Sequence, residues 1–239
     1  MNDLLSFAVD AHGGIDRWNS FARLRAELSI DGAIWNINQQ PALLLNKVLE
    51  LNTHEESISI TPFPGPNTRI LFTPGRLVLS TMDGRTIERR QEPEASFGGQ
   101  NQNASRGIFH VAYWASGALW TYLTSPFLFT YPDFSSEEID PWCEEGEVWR
   151  RLKITFPADI ASESKTHVMH FGPDGLMRRH DYTIDILGGA TAANYPSHYR
   201  EVQGLMMPIR RRIYSCDENG TKVREPLLAS IDFGQLEFS

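Results

Sequence analysis

One stretch of the chain has no polar face. Ile108, Phe109, Val111, Ala112, Tyr113, Trp114, Ala118, Leu119, Trp120, Tyr122 and Leu123 put apolar side chains on every side of a helix. Such a helix is either buried in a protein core or set in a bilayer. At roughly 16 residues it falls at the lower limit for a bilayer span. His110, Ser116, Thr121 and Thr124 interrupt it and Pro126 ends it. Its Trp and Tyr are spread throughout, whereas membrane spans gather them at the ends. The sequence therefore predicts a buried helix and no membrane insertion.

A buried helix needs a surface to cover it, and the flanks supply one. Leu4, Leu5, Ala8 and Ala11 fall at helical spacing until Gly13-Gly14, and a short turn follows over 16–21. From there the apolar period shortens to two. Residues 21–37 read as a hairpin bent at Asp31-Gly32, with strands expected at 43–51, 57–62, 69–73, 77–82 and 85–91. Beyond the helix, strands are expected at 148–156, 165–171, 176–186, 197–202, 209–216 and 227–238. Asp-Gly or Asn-Gly stands at 31–32, 83–84, 174–175 and 219–220. These pairs accept the positive φ of tight hairpin turns. Residues 98–103 are the most loop-like and form a connector or lid hinge.

The expected fold is mainly β: one antiparallel half-barrel over residues 1–239, wrapped around the central helix, with short N-terminal helices. Where the helix fills the concave face incompletely, a pocket remains. Gly117 and the helix alanines allow close approach on one side. Tyr113, Trp114 and Trp120 wall the other, with Thr121 on a polar stripe. Those five residues are the expected ligand contacts.

Several chemistries are excluded. The net charge of −8 opposes a nucleic-acid partner, which needs a basic face. Glu88-Arg89-Arg90 and Arg210-Arg211-Arg212 are short, and strand alternation splits each between two faces. Gly-rich nucleotide loops, zinc-binding helices and nucleophile elbows are missing, so no cofactor and no metal are expected. His167 and His170 are three apart in a strand and face opposite ways. Two cysteines, Cys143 and Cys216, make no disulfide framework, and the acidic opening does not resemble a signal peptide. Both features point to the cytoplasm.

The polar candidates lie in 178–182. Alternation puts Arg178, His180 and Tyr182 on one face, with Ile184 and Ile186 beyond them. That face is the expected inner one. A buried imidazole beside a phenol can exchange protons near neutral pH. The plainer reading, which the need of buried polar groups for partners favours, is a structural hydrogen-bond network spanning two strands. His110 shares a helical stripe with Trp114, Gly117 and Thr121 and is a second acid–base candidate.

Three segments carry a resemblance: Ala11 to Trp18 (A-H-G-G-I-D-R-W), Ala112 to Phe127, and Phe171 to Tyr182. Together they resemble a family of uncharacterised bacterial proteins, and the opening followed by a meander is similar to LolA/LolB-type lipoprotein carriers. That resemblance implies a half-barrel closed by helices that holds acyl chains. A lipobox cysteine is missing here. A related half-barrel serves as a cofactor-free enzyme in violacein biosynthesis, so fold alone does not separate carrier from catalyst.

The expected function is a soluble intracellular binding protein for an apolar or amphipathic small molecule. The alternative is a cofactor-independent isomerase, cyclase or lyase. In that case His180 and Tyr182 act as acid and base, Arg178 holds an anion and His110 assists. A third possibility is a filled core with no pocket. Nothing in the sequence sets an oligomeric state.

Overall fold

The computed structural model describes residues 2–37, 42–93, 107–162, 164–184 and 189–239. The 98–103 connector lies outside them. The chain opens with α1 (Asp3–Ala11), whose first turn is capped by the Asn2 side chain accepting from the Leu4 and Leu5 amides. After α2 (Ile15–Asn19) come β1 (Arg23–Asp31), α3 (Ala33–Ile37), β2 (Lys47–Asn52), β3 (Ile58–Thr61), β4 (Thr68–Thr73), β5 (Arg76–Thr81) and β6 (Thr86–Gln91). The central helix is α4 (Ile108–Thr124), followed by a 3-10 turn (Phe127–Thr130). Then follow β7 (Ser135–Glu144), β8 (Glu147–Thr155), β9 (Thr166–Phe171), β10 (Met177–Ile184), β11 (Ala190–Val202), β12 (Leu205–Cys216), β13 (Lys222–Val223) and β14 (Ala229–Phe238).

All paired strands are antiparallel. They form one open sheet in the order β6-β5-β4-β3-β2-β1-β14-β12-β11-β10-β9-β8-β7, with β13 pairing β12. The order explains the helix. The first meander runs outward from β1 to β6, and the second starts at the opposite edge with β7. Because α4 is the main element between β6 and β7, it carries the chain across the sheet. Trp120 is wholly buried there and its Nε1 donates to the Asn52 carbonyl at 2.8 Å. Burying a side chain of this size contributes about 2–3 kcal/mol. At the helix exit Phe127 stacks on Trp18, ring centres 4.5 Å apart, which docks α2. Among the described residues no helix is long and apolar enough to cross a membrane.

The half-barrel around a central helix is as expected, with local corrections. Asp31-Gly32 does not bend a hairpin: α3 follows it. β1 already pairs with β14 on one side and β2 on the other, so no edge remains for a returning strand. At Gly32, φ is +133° and an added Cβ would lie 2.4 Å from the Leu228 carbonyl oxygen, so only glycine fits. β7 went unread because it is polar and contains Pro141, which an edge strand tolerates. Two hairpin turns were missed as well, Glu145-Gly146 and Gln203-Gly204, each with positive φ at both positions. They take the conformation that Asn-Gly favours without carrying its first residue.

Candidate functional site

The side of α4 bearing Trp114, Ala115, Ala118, Leu119 and Tyr122 does not close onto the sheet. These positions form one helical stripe. Facing it are Ile30 of β1, Tyr182 and Ile184 of β10, Ile213 of β12, and Ala229 and Ile231 of β14; Ile34 and Trp35 of α3 and Leu228 complete the wall. The cleft is narrow: about 60 Å³ is open to the centre of a water-sized sphere, and all the space between its atoms, open solvent included, comes to about 530 Å³. Ala115, Ala118 and Ala229 stand where larger residues would fill it. The polar groups on the wall are few. The phenols of Tyr122 and Tyr182 share a hydrogen bond, O to O 2.5 Å. The indole N–H of Trp35 is buried with no partner among the described residues.

Of the five expected ligand contacts, Trp114 lines this cleft. The other four point elsewhere. Tyr113 packs edge-on against Phe72 of β4, ring centres 5.5 Å apart. A Cβ at Gly117 would lie 3.3 Å from the Ala161 carbonyl oxygen, so the glycine allows close packing there. Trp120 anchors to Asn52, and Thr121 is 3% exposed with its carbonyl accepting the Ser125 hydroxyl. The observed stripe lies one residue further along, a rotation of about 100°.

The inner face of β10 is as expected at three positions: His180, Tyr182 and Ile184 are all buried. Arg178 is not among them. A register shift between Met177 and Arg179 turns it outward, where it pairs with Glu147 at 3.1 Å and Asp174 at 2.9 Å. His110 stacks on Trp114, ring centres 5.7 Å apart. It lies twelve positions before Tyr122, about 18 Å along the helix. The four groups named for catalysis therefore do not converge.

A different constellation does form. His180 Nε2 meets His167 Nδ1 at 2.8 Å, and His167 Nε2 meets the Ser162 hydroxyl at 2.9 Å. Burial holds both imidazoles neutral: His167 is lowered to about 3, and His180 well below the usual imidazole range. His170 takes the opposite face, as alternation predicts, and its Nε2 contacts Asp181 at 3.0 Å. No three His, Cys, Asp or Glu side chains among the described residues are grouped to hold a metal.

The outer face carries its own buried network. Arg179, 1% exposed, pairs with Glu144 at 2.9 Å and Asp181 at 2.6 Å and donates to the Gly220 carbonyl at 2.7 Å. Burial pushes the Glu144 carboxyl up, but hydrogen bonds from Tyr195, Trp142, Arg179 and Lys222 outweigh it and bring the group to about 2. This network ties β7, β10, β11 and the β12–β13 turn together.

Comparison with known proteins gives fold and no closer kinship. No family model matches the chain, and no curated protein does. Solved structures match over nearly the whole length. A LolA superfamily protein from Nitrosomonas europaea aligns with a TM-score of 0.53 at 10% identity, covering 97% of this chain and 92% of that one. A DUF1329 family protein from Desulfovibrio piger gives 0.53 at 12%, covering 100% and 94%. A domain from Vibrio parahaemolyticus, provisionally named for outer membrane lipoprotein sorting, gives 0.55 at 12%, covering 98% and 92%. The chain has a LolA-like fold.

Proposed function

We propose that this protein binds an apolar or amphipathic small molecule in the cleft between α4 and the sheet. The observation that carries the reading is the helix face at 114, 115, 118, 119 and 122, where alanines leave space between helix and sheet unfilled. Apolar concavities with few polar groups are the usual form of a small-molecule site. The lipoprotein-sorting name of one fold neighbour supports a ligand with an apolar chain, although function has to be argued from the site itself. The two free thiols, Cys143 and Cys216, support a reducing cytoplasm, which fractionation of cells expressing the chain tests.

The test is a titration with Nile red, a neutral apolar dye. Saturable binding to the wild type and its loss in Ala118→Trp, with the circular dichroism spectrum unchanged, support the reading. Equal binding by both proteins contradicts it. Cofactor-independent catalysis in the same cleft is the second reading, motivated by the Ser162–His167–His180 chain leading to Tyr182, whose ring centre is 4.9 Å from that of His180. Its mark would be turnover that His180→Gln abolishes while dye binding persists.

A further inference from the structure

A buried charge stands next to the cleft, behind its wall. Arg211 of β12 is 2% exposed. Its cross-strand neighbour Ile231 lines the cleft, as does Ile213 two residues along. Its guanidinium carbon lies 4.9 Å from the centre of the Tyr122 ring, itself part of the cleft wall. Nη2 donates to the Tyr122 carbonyl at 2.6 Å, while Nε and Nη1 have no partner among the described residues. Arg211 makes no ion pair with a described carboxylate; burial pulls its guanidinium below the ordinary arginine range, and only Tyr199, Tyr122 and Tyr182 oppose that. Its outward neighbours behave differently, since Arg210 and Arg212 both pair with Asp232. An uncompensated buried charge is strongly unfavourable. The carbonyl at the end of α4 offsets part of that, but it satisfies one nitrogen of three.

Two adjacent strands present further orphaned groups on the same face. Asn194 of β11 is fully buried, and neither its amide nitrogen nor its oxygen has a partner among the described residues. It stands opposite Ile213 on one side and His180 on the other. The Nδ1 of His180 also has no partner among the described residues. Residues directly opposite in an antiparallel pair share a face, and diagonal neighbours lie about 7 Å away. Arg211, Asn194 and His180 thus form a patch of unsatisfied polar atoms that adjoins the cleft behind its Tyr122 and Tyr182 wall without lining it.

We propose that this patch seats the head of the ligand, and that the head is a carboxylate on an apolar tail. The inference rests on the reading that the cleft binds the tail. A guanidinium offers two parallel N–H groups that match a carboxylate, and the Asn194 amide supplies a third donor. One guanidinium balances one charge, and the imidazoles beside it are neutral, so a singly charged carboxylate suits the site better than a doubly charged phosphate. Tyr122 and Tyr182 shift to admit the head.

The test is displacement of Nile red at pH 7.5 by decanoate, decan-1-ol and decyl phosphate. Without a cation the alcohol wins, because an ionised head resists leaving water. The expected result is decanoate acting at a concentration at least about tenfold below decanol, the worth of one charge-assisted hydrogen bond. Arg211→Met should remove that preference and leave decanol unchanged, and Arg211→Lys should keep part of it. Equal action of acid and alcohol on the wild type overturns the head-group assignment and leaves the cleft reading standing. Stronger action by decyl phosphate overturns the choice of carboxylate. Failure of the dye or of all three compounds to bind overturns both inferences. The wild-type comparison stands even where a variant fails to fold.

Discussion

The phenol oxygens of Tyr122 and Tyr182 meet at 2.5 Å, joining the last turn of α4 to the middle of β10 across the inner wall of the cleft. One hydroxyl donates and the other accepts. A net hydrogen bond of this kind contributes about 1 kcal/mol. Tyr122→Phe and Tyr182→Phe should each lower the urea unfolding free energy by about that amount, and the double variant by little more than either alone. Fully additive losses would mean that the two hydroxyls do not depend on each other.

The buried imidazoles set the acid stability. His12, lowered by burial to about 4, joins His167, lowered to about 3, and His180, lowered by burial well below the usual imidazole range. Each folded-state value lies below the unfolded value near 6.5, so the unfolded chain binds more protons as the pH falls. Their contribution is complete above pH 6.5 and shrinks as the pH drops toward 4 and then 3. The slope is about 1.4 kcal/mol per pH unit for each histidine. Urea unfolding at pH 7, 6, 5 and 4 should trace that decline, and a flat profile between 7 and 4 would contradict it.

The Arg179 network is expected to behave as a unit. Arg179→Met leaves Glu144 and Asp181 without their buried cation and should cost about 3–5 kcal/mol. Glu144 is held near 2, below its unfolded value of 4.5, so its contribution is present above pH 4.5 and is lost as the pH falls toward 2. Thermal melts of wild type and Glu144→Gln should therefore differ at pH 6 and converge near pH 2.

Gly13 joins α1 to the sheet. Its φ is +116°, and a Cβ there would lie 2.3 Å from the Gly204 carbonyl oxygen in the β11–β12 turn. The backbone cannot yield, because the Met206 amide donates to the His12 carbonyl beside it at 3.0 Å. Gly13→Ala should lower stability by more than about 1 kcal/mol. Gly14→Ala shares the positive φ but meets no atom within 4 Å, so it should cost less. Unfolding curves for the two compare them directly.

Particular residues mark what could be read from sequence. The helix over 108–124 is legible in a long apolar run that Pro126 ends, and the inward face of His180 and Tyr182 in strand alternation. The helix phase is not. A helix apolar on every side offers no preferred face, so the cleft stripe was set one residue away from where Trp114, Gly117 and Trp120 suggested. Arg178 was misjudged because a register shift of one residue reverses alternation, and nothing in Met177-Arg178-Arg179 announces it. Arg211 was visible as the middle of an arginine run, and alternation already separated it from Arg210 and Arg212. That it alone lacks a carboxylate depends on Asp232 standing on the outer face of a strand about twenty residues away.

Where an apolar chain lies decides whether the cleft is a binding site. A crystal structure of the protein with 10-bromodecan-1-ol places the tail through the anomalous signal of bromine. The expected result is a bromine peak and continuous chain density beside Ala118, between α4 and β14. A fully occupied chain bound anywhere else, with Ala118 and Ala229 closed against each other, would contradict it.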